Sequence, residues 1–86
     1  MDEYIRLNTA TDILADKIHY ESIRDRLIRE RDNGNEFYVC FKKHGTDDEL
    51  TLTTNPNVEL GEVIMAKAFE IINRKIAEQE RKFAEL

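Results

Sequence analysis

The stretch NVELGEVIMAKAFEIINRKIAEQERKFAEL, Asn57 to Leu86, decides the fold. Within it Met65, Phe69, Ile72, Ile76, Gln79, Phe83 and Leu86 recur at alternating steps of four and three residues, which draws one narrow stripe along an uninterrupted helix. Between Leu60 and Ile72 a second stripe, Leu60, Ile64, Ala68 and Ile71, runs beside the first, and a helix apolar on two sides can be sandwiched. Beyond Arg74 only Ile76, Phe83 and Leu86 continue the pattern, among Lys75, Glu78, Glu80, Arg81, Lys82 and Glu85. That half has one partner to meet.

Asn55-Pro56-Asn57 interrupts whatever precedes this helix, with Asn57 placed to cap it and Glu59 and Glu62 suited to its positive end. Gly61 is either a weak point in the helix or a place where another backbone comes close. Upstream, Leu50-Thr51-Leu52-Thr53 alternates with a period of two. So does Glu36 to Lys43, which puts Phe37, Val39 and Phe41 on one face and Tyr38, Cys40 and Lys42 on the other. The two runs read as one hairpin, joined through the polar loop His44-Gly45-Thr46-Asp47-Asp48-Glu49.

Asn33-Gly34-Asn35 ends a helix predicted over Asp12 to Asp32, with Gly34 supplying the left-handed conformation that closes the last turn. In that helix Ile13, Tyr20, Ile23 and Leu27 lie on one seam, and Leu14, Ile18 and Ile28 lean onto a neighbouring one. Thr9 and Thr11 both suit an N-cap, and Thr9 followed by Asp12 resembles a capping box, so a kink or fresh start is expected at residues 8–11. Met1 to Leu7 reads as helix in preference to an extended arm. The prediction is one α+β domain over residues 1–86, ordered helix, two-stranded antiparallel hairpin, long C-terminal helix, with the helices packed on one face of the hairpin.

Length suggests assembly. Thirty helical residues reach ~45 Å, whereas an eight-residue strand reaches ~27 Å, so the hairpin cannot cover the last helix. An overhanging Phe83 and Leu86, and a two-stranded sheet covered on one face, are both unfavourable in a monomer. A homodimer through Met65, Phe69, Ile72, Ile76, Gln79, Phe83 and Leu86 repairs both faults, with Lys75 to Glu80 pairs favouring parallel helices and Gln79 fixing register.

Composition narrows the function. A net charge of −5 and a charged fraction of 36% argue against affinity for nucleic-acid backbones or anionic lipid, which call for clustered cations. Cys40 is the one cysteine and lies in an apolar run, which fits a reducing cytoplasm. The N-terminus has no apolar signal-like run, and Val63-Ile64-Met65-Ala66 is far too short to span a bilayer. A cytoplasmic protein without membrane contact is expected.

No chemical motif stands out. His19 and His44 have no second His or Cys at ligand spacing, and the Asp47-Asp48-Glu49 run lacks the alternation of a calcium loop, so no metal or other cofactor is expected. Neither a Ser, His and Asp set nor a phosphate-cradling glycine loop is visible, so the protein reads as no enzyme. Tyr38 and Cys40, on the face away from Phe37, and Asp47, Asp48 and Glu49 are the candidate partner-binding residues. Lys17, Arg24 and Arg31 repeat every seven residues beside the Ile13 to Leu27 seam, and with Arg26 they could hold an anion, although Asp25, Glu30 and Asp32 interleave with them.

The expected function is therefore a small acidic non-enzymatic protein-interaction module: a homodimeric regulator or inhibitor whose partners are itself and a larger macromolecule. Nucleic-acid mimicry by Asp47, Asp48 and Glu49, or by the Glu-rich last helix, is one route to such inhibition. The alternative is a binding module for a small anionic ligand such as a nucleotide, held by Lys17, Arg24, Arg26 and Arg31. Direct DNA binding is disfavoured by charge and by the lack of a second helix of a helix-turn-helix.

Overall fold

Asp2 opens the first helix. In the structure, a computed structural model that describes residues 2–86, its Oδ1 accepts from the Tyr4 N–H at 3.1 Å, and α1 then runs unbroken over Glu3–Asn33. Met1 lies outside the described residues. The break expected at residues 8–11 does not occur, because Thr9 and Thr11 cap nothing. Their hydroxyls donate backwards to the Ile5 and Leu7 carbonyls at 2.9 and 3.0 Å, the bond a threonine makes inside a helix.

Gly34 ends α1 with φ +67°, and its N–H donates to the Arg31 carbonyl while the Asn35 N–H reaches the Glu30 carbonyl. This pair of bonds satisfies the last free carbonyls of the helix. Two strands follow, β1 over Phe37–Lys42 and β2 over Glu49–Thr54, antiparallel and in register from Phe37 opposite Thr54 to Lys42 opposite Glu49. The last helix, α2, spans Glu59–Ala84. Its N-cap is Val58 and not Asn57: the Asn57 N–H donates to Asn55 Oδ1 at 2.9 Å, so the asparagines shape the turn before the helix instead of capping it.

The two helices lie side by side and antiparallel. Lys17 Nζ meets Glu80 Oε1 at 3.4 Å, and farther along the Arg31 guanidinium lies 4.9 Å from the centre of the Phe69 ring. The stripe predicted on α2 is thus filled by α1 of the same chain. At ~46 Å against ~39 Å, α1 is the longer helix, so α2 does not overhang it. Met65, Ile76 and Gln79 are buried, and Phe69 and Ile72 are half-buried. Facing them, Ala10, Ile13, Lys17, Tyr20, Arg24 and Leu27 follow at steps of three and four, all at least half-buried. Lys17 and Arg24 therefore stand within the seam and not beside it.

The helices pack on one face of the hairpin at its base. Phe37 and Val39 are half-buried and Thr54 is buried, while Tyr38 and Thr53 on the opposite face are exposed. Gly61 makes this junction possible. A Cβ at that position would fall 1.8 Å from the Asn55 carbonyl oxygen and 3.0 Å from Thr54 Oγ1, so the predicted close approach of a second backbone is present. The strands do not prolong the helices. The longest Cα extent, 49 Å, is little more than α1 alone, and the second, 35 Å, belongs to a hairpin standing across the helix axes.

Two stability measurements check this arrangement. Urea unfolding of Gly61→Ala should show a loss of about 3 kcal/mol or more, against about 1 kcal/mol for Gly45→Ala, where φ is +76° but the space is open. Ile76→Ala should cost about 2–5 kcal/mol, and Phe83→Ala clearly less, since Phe83 sits at the open end of the pair and is exposed.

Candidate interaction site

Alternation along β1 and β2 gives the hairpin two faces, and the helices reach only part of one. On the side of Phe37, exposure climbs from 6% at Thr54 to 57% at Leu50, and Phe41, opposite Leu50, is exposed to the same degree. Phe41 shares the face of the half-buried Phe37 and Val39. Its strand carries it away from the base of the hairpin, where Gly61 approaches Thr54 and where Phe37 and Val39 are half-buried. Tyr38, on the other face, is also exposed. As the sheet has two strands, each strand keeps one edge with unpaired N–H and C=O groups.

The hairpin end is braced. Lys43 and Asp48 close it with a backbone bond of 3.2 Å; inside, Thr46 Oγ1 donates to the Lys43 carbonyl and accepts from the Asp48 N–H. Gly45 takes the left-handed conformation that lets the chain turn. Lys42, Lys43, Asp48 and Glu49 surround the end together with Cys40, Phe41 and Leu50, so both signs of charge border the apolar pair.

Cys40 Sγ–H donates to Glu49 Oε1 at 2.9 Å, and Thr51 Oγ1 donates to the same oxygen at 3.4 Å. The hydrogen bond to Glu49 favours the protonated thiol, and the carboxylate charge disfavours a thiolate beside it, so the Cys40 pKa is raised above its ordinary value. A nucleophilic or metal-binding cysteine needs the opposite shift. Among the described residues no three His, Cys, Asp or Glu side chains converge as metal ligands. His19 leans on the Tyr20 ring at 5.6 Å between centroids, and His44 lies in the exposed loop.

The other candidates separate. Tyr38, Cys40 and Glu49 share one face of the hairpin, and Asp47 and Asp48 sit at its end. Lys17, Arg24, Arg26 and Arg31 do not converge: Lys17 bonds Glu80, Arg24 lies between Glu21 and Asp25 at 3.9 Å from each, and Arg31 covers Phe69 beside Asp32. Arg26 stands on the outer side of α1 near Ile23 and Glu30. Of the stripe expected to join two copies, Met65, Ile76 and Gln79 are consumed inside the chain, and Phe83 and Leu86 border a shallow groove with Leu7 and Ala10. No helix among the described residues is long and apolar enough to cross a membrane. No protein-family model, curated protein or solved structure matches the chain.

The thiol supplies a direct check. Alkylation of Cys40 by iodoacetamide at pH 8 should be slower than that of a free cysteine peptide despite its exposure, and Glu49→Ala should accelerate it. Equal rates for the wild type and Glu49→Ala would show that the carboxylate does not hold the proton on sulfur.

Proposed function

We propose that this chain is a non-enzymatic protein-interaction module, a homodimeric regulator or inhibitor in the cytoplasm that docks on a larger macromolecule through its β-hairpin. The observation that carries this reading is the exposed Phe41 and Leu50 pair, opposite one another on a hairpin that stands away from the helices. Apolar side chains in such a place gain free energy when a partner removes them from water, about 25 cal/mol per Å². The two open strand edges add main-chain donors and acceptors that an extended segment of a partner can meet.

Nucleic-acid mimicry receives less support than a contact with a protein surface. Asp47, Asp48 and Glu49 are close together, but Lys42 and Lys43 stand beside them and divide the negative field. The small-anion alternative is weaker again, because three of its four cations already face carboxylates of the chain.

Co-purification from the native cell, comparing the wild type with Phe41→Asp/Leu50→Asp, tests the docking element. The double variant should retain its fold by circular dichroism and lose at least tenfold in recovered partner. Undiminished recovery would remove the hairpin from the contact. Replacing Asp47, Asp48 and Glu49 with Lys in the same assay separates mimicry from apolar docking, since only mimicry requires the negative end.

A further inference from the structure

Helix α1 carries a second apolar stripe beside the one that meets α2, and Leu7 alone of its members also borders the groove with Phe83 and Leu86. Tyr4, Leu7, Thr11, Leu14 and Ile18 follow one another at steps of three, four, three and four, the spacing of a helix seam. At about 100° per residue this line lies roughly a third of a turn from the Ala10, Ile13, Lys17 and Tyr20 line that meets α2. All five residues are exposed, the four large apolar ones by between 40% and 70%. On the flank away from α2 the neighbours at three and four residues are Asn8, Ala15 and Ser22, with Asp12 and His19 on the next line beyond them.

The dimensions of the chain indicate how much must be covered. A folded monomer of 10.1 kDa exposes about 5,300 Å², whereas this chain exposes 6759 Å². Its radius of gyration is 17.2 Å, against about 12 Å for a compact domain of its length. Obligate homodimers bury about 2,000–5,000 Å² in total, or about half of that per chain; the excess of roughly 1,500 Å² belongs to the whole chain, exposed hairpin included, and the α1 stripe is one part of it. The stripe is symmetric about its centre to within one residue, Leu7 standing four before Thr11 and Leu14 three after it. Tyr4 and Ile18 lie seven residues to either side of Thr11, with Leu7 and Leu14 between. An antiparallel two-fold contact puts Tyr4 of one copy against Ile18 of the other, Leu7 against Leu14, and Thr11 on the axis.

We propose that the covering partner is a second copy of this chain, docked antiparallel along the Tyr4 to Ile18 stripe. This deepens the homodimeric reading above and rests on it, while moving the contact from α2 to the N-terminal half of α1. The two hairpins, at the far ends of their helical pairs, then remain free for another partner.

Sedimentation of the full chain should give twice the monomer mass. Leu14→Asp/Ile18→Asp should sediment as a monomer, and Phe41→Asp/Leu50→Asp should stay dimeric. In a Cys40→Ser background, Thr11→Cys treated with diamide should form a covalent dimer. Tyr4→Cys should not, because antiparallel pairing holds the two copies of that position about 20 Å apart. A monomeric wild type overturns the proposal, as does a dimer that survives Leu14→Asp/Ile18→Asp. Cross-linking through Tyr4→Cys as efficient as through Thr11→Cys overturns the antiparallel contact. If the aspartate variant unfolds without its partner, the two cysteine variants still decide. Hairpin docking is scored separately by partner recovery, so the two readings can fail independently.

Discussion

The antiparallel contact between α1 and α2 is the interaction on which the rest of the structure depends. It is a thin seam. Its buried members are Ile13 on one side and Met65, Ile76 and Gln79 on the other, and Lys17 and Arg24 occupy turns where a richer core would place leucine. Both cations are half-buried, and their charged ends reach carboxylates near the surface, Lys17 across to Glu80 on α2 and Arg24 to Glu21 and Asp25 on its own helix. Ion pairs of that exposure contribute roughly 0–1 kcal/mol each, so the few apolar layers must hold the pair together. A seam this narrow leaves most of both helix surfaces in contact with water, which agrees with a charged fraction of 36%.

The corner between the helices and the hairpin is the second constraint. Gly34 turns the chain out of α1, Pro56 is buried where it returns, and Gly61 lets the Asn55 carbonyl lie against the first turn of α2. These residues fix the direction of the strands. Once the hairpin stands across the helices, its base is covered and its end is not, and the exposure of Phe41 and Leu50 follows from that geometry.

The order of elements was legible because each carries a local signal: period two in Phe37 to Lys42, a left-handed glycine at Gly34, steps of three and four from Met65 onward. The partner of the α2 stripe was not. Periodicity shows that a face is buried but not against what, and the cations at Lys17 and Arg24 disguised the matching line on α1. Knowing that α1 begins at Glu3 would have revealed both that α1 is long enough to cover α2 and the second stripe through Tyr4 and Ile18. That start rests on Asp2, while Thr9 and Thr11 present the same capping chemistry without using it. For the interaction site, alternation named the two faces of the hairpin correctly. How far along each face the helices reach depends on the corner, which is a tertiary property.

Placing the hairpin at the joined end of the helical pair also bears on how the chain folds. Hairpin contacts are between near neighbours in sequence, whereas helix–helix contacts span progressively longer segments, from Arg31 and Phe69 near the corner to Lys17 and Glu80 farther out. Closing a longer loop costs more entropy, but each contact already made shortens the loop left for the next. The pair should therefore zip from the corner outward, with the hairpin as its local nucleus. Opening runs in reverse: the segment around Tyr4, Phe83 and Leu86 separates first, so backbone amides there would be the least protected against hydrogen exchange in an isolated chain.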